Sequence, residues 1–524
     1  MVLAAVLPQL AAQQVVPQCS EYQLEIIPDL SDRSIEAIAT LLINTRSEDQ
    51  PISLSLSNEF RVSKVTINNS PVSFRQSFNS VSIPFPVGQK GEFIRLSIYY
   101  SGTPTPSTNP PWTGGFHQSL DYKDRSWLNT APINDLEQSW LPVIPGMVAD
   151  SSTVDITVRD RLSALSNGQL IKSDHDKDRR KITYTYRYAA PIRPEKLQLH
   201  VGYYATYDTT FTTIEGQVVS LQHHVLDYNL NRASKHLNQF GKILTAWEHY
   251  LGPLPDTLRH LQTVEVPFGG TAVPGLIQYG NRFMRGSYGG FIPLGMDWDH
   301  ELVRSVAALY IDHRFGQLKS NDRWLREAFI TYLESLYVEF YYSKEKALEY
   351  LDLYRPYVRE RQPLVDSLAS DFDLNDGEFQ AKGALLLHSI RQAINNDGEW
   401  LLLIRDFLQL PKSTNETQAF IRQLKSVADL GWTPILKQYL HHHRLPVLEY
   451  WLVASVEGDF LYYRYTAKEV NYQLPITIEI NDERSMIVPT SNTQSIRLTG
   501  KIRNRNSLDL NVMNALVILK PLTP

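Results

Sequence analysis

Cysteine is nearly absent from this 524-residue chain: Cys19 stands alone. No intramolecular disulfide and no cysteine-built zinc cage can therefore form. Cys19 reads as an incidental thiol, and Val16, Pro17 and Gln18 before it make no lipidation box. Long apolar runs are missing too. After the first dozen residues nothing approaches the ~18 uncharged apolar residues of a membrane-spanning helix. Charge of one sign never accumulates, and the formal net charge is -5, which excludes a dedicated nucleic-acid or anionic-membrane binder. There is no internal repeat and no low-complexity tract.

The first residues, Met1 to Ala12, are apolar and end in small side chains like a signal-peptide core. They carry no Lys or Arg ahead of the run, and Pro8 interrupts it. Read as a truncated leader they point to export; otherwise the chain is cytoplasmic.

The remainder has the composition of a packed globular protein, with 43% hydrophobic and 20% charged residues. At about 100–200 residues per domain this length makes two to four domains. From Tyr22 to about Tyr204 apolar residues alternate or run in short blocks, as in Ile38–Asn44, Ile94–Tyr100 and Ile182–Tyr188, with turn clusters between them. This pattern predicts an antiparallel β-sandwich over residues 20–205, with a long loop from Gly102 to Gly115. After Leu226 the period changes. Ala233–Leu251, Glu301–Asp312, Trp324–Tyr341, Gly383–Asn395, Glu399–Leu408 and Thr417–Leu424 are amphipathic and predict helices, with strands within Asp256–Ile277. Residues 206–447 thus form a mainly helical domain. Strand patterns return at Phe460, Ile476, Ser495 and Ala515, predicting a small C-terminal β-sandwich over 448–524.

Four landmarks then fall in a fixed order. Ser139-Trp140-Leu141-Pro142 is followed by Ser166-Asn167-Gly168. Gly269-Gly270-Thr271-Ala272-Val273-Pro274-Gly275 comes next. Asp312-His313-Arg314-Phe315-Gly316 precedes Trp324-Leu325-Arg326-Glu327-Ala328-Phe329. Last comes Ala381-Lys382-Gly383-Ala384. Together they resemble the membrane alanyl aminopeptidase and leukotriene-A4-hydrolase-like zinc aminopeptidase family of gluzincins, across nearly the whole chain. The resemblance implies a multidomain α+β fold with a thermolysin-like helical domain, and an interdomain cleft holding a peptide or protein, lined in part by Gly269, Gly270, Thr271 and Lys382.

The chemistry of such an enzyme needs three protein ligands on zinc and one open position for water. Two His at i and i+4 with an adjacent Glu base provide most of it, and the third ligand is a Glu on the next helix. Anchored on Phe315-Gly316, the first His position is Ala308, the base position is Leu309 and the second His position is Asp312. Only Glu327, matching the third ligand, remains. The interval 327 − 312 = 15 is four residues shorter than the family's nineteen. A second register, His300-Glu301-Leu302-Val303-Arg304, places Arg304 at the second His, with 327 − 304 = 23. An Arg is no zinc ligand. Ala272 replaces the Glu that would hold a substrate's amine, and Gln380 replaces the oxyanion-stabilising Tyr.

The expectation is a catalytically degenerate metallopeptidase homologue, a pseudoenzyme, holding no zinc. The alternative is an active zinc aminopeptidase rebuilt from the vestigial candidates His300, Glu301, Asp312 and Glu327, with His313. Glu327 reads as a helix carboxylate paired with a cation such as Arg304. His300 reads as a surface residue at its helix start. His441, His442 and His443 read as a solvated turn, and His223 and His224 as strand residues on opposite faces that cannot chelate together.

Overall fold

In the computed structural model, the described residues are 16–44, 51–84, 91–133, 135–286, 295–316, 320–365, 377–428, 430–456, 458–480, 483–498 and 510–522. The apolar leader-like start lies outside them. Contacts divide the chain into two units: Met1–Thr209 with Leu221–Ser234 and His260–Gly280, and Thr210–Ser220 with Lys235–Arg259 and Asn281–Pro524.

The first unit is built on strand alternation. Its eight-stranded sheet runs in the order Gln169–Asp176, Lys181–Tyr188, Ser152–Arg159, Gln18–Asp29, Ser34–Asn44, Phe93–Gly102, Phe60–Ile67 and Ser70–Pro71. The pairing is antiparallel except where Gln18–Asp29 meets Ser152–Arg159 in parallel. Every second residue of Ser152–Arg159 is buried, as a half-covered strand requires. A four-stranded sheet, in the order Ser163–Leu165, His200–Gly202, Ser126–Ala131 and Gly115–Leu120, accompanies it. The core includes Tyr22, Leu41, Leu96 and Trp140.

The first landmark is a structural pin of this unit. Trp140 is buried, with Phe116 edge-on to it at 5.1 Å. Asn167 accepts the Gln198 amide at 2.7 Å and donates to Pro274 O at 2.7 Å. Gly168 has φ +88°, and a Cβ there would lie 2.3 Å from Arg187 O, so only glycine fits.

The helices of the chain, among the described residues, are α1 (Leu230–His236), α2 (Gln239–Leu251), α3 (His300–Phe315), α4 (Arg323–Tyr341), α5 (Lys344–Asp352), α6 (Gly377–Ile394), α7 (Asp397–Gln409), α8 (Glu416–Val427) and α9 (Trp432–His441). Helices α2 to α9 belong to the second unit, which closes with a small β region. That region has one sheet in the order Gln494–Arg497, Gly458–Thr466, Val447–Ser455 and Ile518–Pro521, and a hairpin of Ile476–Ile480 with Glu483–Ile487. The α+β class with β, helical and β regions in that order is as the sequence predicts.

Two helices escaped the periodicity reading. α5 is announced only by its cap: Ser343 accepts the Lys346 amide at 3.2 Å, with Glu345 in the first turn. α9 follows Gly431 in the left-handed region, φ +63°. α6 also starts six residues before Gly383, which lies inside it. A helix-interior glycine ordinarily costs ~0.5–1 kcal/mol. Here it is kept because a Cβ at 383 would sit 2.6 Å from Ala328 Cβ, so the glycine lets α6 close on α4.

Candidate functional site

α3 starts where Asp299 accepts the Leu302 amide at 3.1 Å, satisfying one of the free donors of a helix N-terminus. The other carboxylate oxygen of Asp299 holds His236 Nε2 at 2.7 Å. α3 stops at Gly316, φ +59°, whose N–H bonds Asp312 O at 2.7 Å. Residues four apart on a helix share a face, so His300, Arg304, Ala308 and Asp312 form one stripe. Glu327 and Glu334, seven apart, form another on α4. The two helices pack so that these stripes meet, and the Gly383–Ala328 approach brings Gln380 of α6 to the same place.

The result is an ion cluster. Glu327 Oε2 accepts from Arg304 Nη2 at 3.2 Å and from Gln380 Nε2 at 3.3 Å, and Arg326 Nη1 bonds its other oxygen. Arg326 also grips Asp312 through two bonds, 2.5 and 2.8 Å. Arg304 Nη1 reaches Glu334 Oε1 at 2.7 Å and Thr331 Oγ1 at 3.2 Å. The second oxygen of Glu334 accepts from Tyr350 at 2.9 Å and from Tyr354 at 2.5 Å, with His300 Nε2 3.4 Å away. Glu334 is 0% exposed, Glu327 18% and Arg304 24%.

Burial opposes charge on Glu334, but His300 and Arg304 outweigh it and hold the carboxyl down at about 2. Burial also works against both guanidinium charges. Glu334 and Glu327 around Arg304, and Asp312 and Glu327 around Arg326, reverse that and raise both above the ordinary arginine value. Burial, then Glu334, pushes the Tyr350 and Tyr354 hydroxyls well up, so they stay protonated donors. Two guanidinium groups face three carboxylates, and the permanent cation sits between α3 and α4.

The predicted residues are distributed unevenly over this picture. Glu327 is paired with Arg304, as its sequence context suggested, and Gln380 bonds it directly. Ala308 and Leu309 are buried apolar residues, 7% and 4% exposed. Asp312 is taken up by Arg326. His300 is the first residue of α3, half-buried, with its imidazole 3.4 Å from Glu334. Glu301 is buried at the start of the same helix. Lys382 is buried. It is 1% exposed and its ammonium donates to Gln362 O at 2.9 Å and His443 O at 3.0 Å, so it serves the interior instead of lining a cleft.

In the first unit, Ala272 lies in the edge strand Thr271–Val273, opposite Ile277. Gly269 has open space where a Cβ would project, and Gly270 and Thr271 are half-buried. His223 bonds Thr209 and Thr263 while His224 bonds Thr206 and Gln262. Burial pushes both imidazoles down to about 4. His442 pairs with Glu469 at 2.7 Å, and His441 and His443 are exposed. Glu334, Tyr350 and Tyr354 were missed. The signal for Glu334 was present: it lies two turns from Glu327 on the same helix.

A zinc ion does not fit this donor set. Zinc needs three N, O or S donors converging at ~2.0–2.3 Å with one position open. Each carboxylate here is committed to a guanidinium, and Arg304 occupies the space beside Glu327 with a fixed positive charge. Among the described residues no three of His, Cys, Asp and Glu converge on one point.

No family model matches the chain, and no curated protein matches it either. Solved structures do. An M1 zinc metallopeptidase mutant from Deinococcus radiodurans, bound to a Tyr-Ser-Ala substrate, superposes with a TM-score of 0.66 at 20% identity, covering 82% of this chain and 96% of the other. The chain has the fold of the M1 zinc metallopeptidases. The same mutant without the substrate gives 0.66 at 19% identity, and a two-domain M1 zinc metallopeptidase mutant bound to L-tryptophan gives 0.66 at 20%, with the same coverage. The M1 fold is therefore present over most of the chain, while the α3–α4 junction carries an arginine-centred cluster.

Proposed function

We propose that this protein is a catalytically degenerate M1-type aminopeptidase homologue that binds a peptide or protein without hydrolysing it. One observation carries the reading: the Arg304 guanidinium lies 3.2 Å from Glu327, the carboxylate that matches the family's third zinc ligand. A guanidinium cannot lose its proton in a protein and cannot ligate a metal. Gln380, at the Tyr position, is turned onto the same carboxylate.

The contact also favours a different register from the one anchored on Phe315-Gly316. Counting back the family's nineteen residues from Glu327 gives 327 − 19 = 308. Ala308 then takes the second His position, Arg304 the first and Ser305 the base position. This register requires no shortened connection, and it sets Arg304 and Ala308 on the face of α3 that meets Glu327. Phe315-Gly316 becomes a helix end, not a motif. The general base is absent in either register, a loss worth ~10²–10⁴-fold in rate.

Two triple variants test this. Arg304→His, Ser305→Glu, Ala308→His, with Glu327 in place, is expected to hold one zinc per chain by elemental analysis, the metal replacing the positive charge that Arg304 supplied. Ala308→His, Leu309→Glu, Asp312→His is expected to hold none. The opposite outcome sinks the register. Stoichiometric zinc in the wild-type protein, prepared without a metal-affinity step and lost in Glu327→Ala, sinks the degenerate reading and revives an active enzyme.

A further inference from the structure

The second unit contains a groove that the M1-type reading does not use. It has a volume of about 700 Å³, inside the ~300–1,000 Å³ range of ligand sites. None of its lining residues belongs to the Arg304 cluster. Its lining mixes polar residues with apolar ones, Leu445, Val512 and Leu516 among them. Its charged lining is Asp352, Glu360 and Glu479 against Arg355, a balance of 1 − 3 = −2. Arg355 Nε lies 3.4 Å from Asp352 and its Nη2 donates to Ala515 O at 3.1 Å, so that cation is already engaged. Arg484 bonds Glu479 from outside the lining, at 2.5 Å. Glu360 sits at φ +54° and holds the Leu445 amide at 2.5 Å. Such strain in a non-glycine residue persists only where the surroundings enforce it.

One wall is a strand edge. Among the described residues, Ile518–Pro521 is the last strand of its sheet and pairs only with Val447–Ser455. Ile518 N bonds Pro446 O and Leu522 N bonds Tyr450 O, so by alternation the N–H and C=O of Leu519 point away from that neighbour. Val517, Ile518 and Leu519 all line the groove. Pro521 has no amide to offer and limits any added pairing to a short stretch.

We propose that this groove binds an extended peptide segment carrying Lys or Arg, paired at Leu519, with its apolar side chains against Leu445, Val512 and Leu516 and its cation drawn to the acidic excess of the lining, where Asp352 and Glu479 exchange their present arginine partners for it. Adding a strand to a free edge gives affinity through the backbone, and pockets for alternate side chains give selectivity. The acidic lining selects a basic partner over an acidic one.

The test is fluorescence anisotropy with a labelled peptide of alternating leucine and lysine, against its leucine–glutamate counterpart. The basic peptide is expected to bind with micromolar affinity that weakens with salt, and the acidic one is not. Asp352→Asn with Glu479→Gln is expected to weaken the basic peptide about tenfold or more, at an unchanged unfolding temperature. Leu519→Pro, which deletes the edge amide, is expected to weaken it independently. Equal binding of the two peptides, no binding of the basic one at about 1 mM, or unchanged affinity in both variants overturns the proposal. The zinc content and the hydrolysis assays do not bear on it, so the two readings fail separately.

Discussion

Replacing Arg304 by leucine removes the cation that ties α3 to α4. Glu334 is 0% exposed and loses its 2.7 Å bond to Arg304. It keeps the Tyr350 and Tyr354 hydroxyls and His300. Glu327 is 18% exposed and keeps Arg326 and Gln380, so its share of the loss is small. Stranding one partner of a buried ion pair costs about 3–5 kcal/mol, and the two tyrosine bonds place this case at the low end, about 3 kcal/mol. For a unit of this size about 2 °C of unfolding temperature is lost per kcal/mol, so calorimetry is expected to show a fall of roughly 6 °C in the transition of the second unit.

The pH dependence follows from the sign of the Glu334 shift. Its carboxyl is held at about 2, below the ordinary 4.5. The stabilisation is present above 4.5 and is lost as pH falls from there towards 2. In Arg304→Leu this acid loss shrinks. The double variant Arg304→Leu, Glu334→Leu is expected to recover most of the stability at pH 7, since an apolar pair often equals or exceeds a buried ionic one. A single variant within about 1 kcal/mol of wild type, or a double variant worse than the single, refutes the electrostatic account.

Four further outcomes are expected. Aminoacyl-arylamides are not hydrolysed at rates above background, and turnover that a chelator stops and added zinc restores would contradict this. Gly383→Ala forces its new methyl to within 2.6 Å of Ala328 Cβ, costs about 1–3 kcal/mol and separates Gln380 from Glu327, read by chemical denaturation. Glu416→Ala strands the Arg314 guanidinium, which holds Glu416 through two 2.9 Å bonds at 5% exposure, and lowers stability by about 3–5 kcal/mol in the same assay. Cys19 is 1% exposed and burial pushes its thiol up to about 12, so a thiol reagent at pH 8 labels it only after unfolding.

The fold was legible because its signals are local. Alternation in Ser152–Arg159 and the helical periods of Glu301–Asp312 and Trp324–Tyr341 each name an element without reference to any other. Motif order then named the architecture, and Trp140, Asn167, Gly168 and Gly383 proved to be packing residues whose geometry explains their place in it. The site was legible only in part. Ala308 and Ala272 carry no ligating or anchoring group, but the partner of Glu327 depends on how α3 lies against α4. In the proposed register Phe315-Gly316 is a helix end, and a glycine that ends a helix looks in sequence like a glycine that belongs to a motif. The Glu334–Tyr350–Tyr354 bonds join separate helices whose spacing no local pattern records, and α5 itself was missed.

If the proposed function holds, the Arg304 cluster also bears on whether the chain could gain metal chemistry by single steps. In the proposed register three positions must change. Arg304→His taken first leaves Glu334 buried with too little positive charge nearby, and a metal has only one new ligand to hold it. Ala308→His taken first brings an imidazole up to a guanidinium already in place. Each intermediate is less stable than its parent and no more active, so selection on either property opposes the first move. On that reading, a cation bonded to two carboxylates behaves as a ratchet: the frame of the fold persists around it, while the paths to a metal site in that frame all begin downhill.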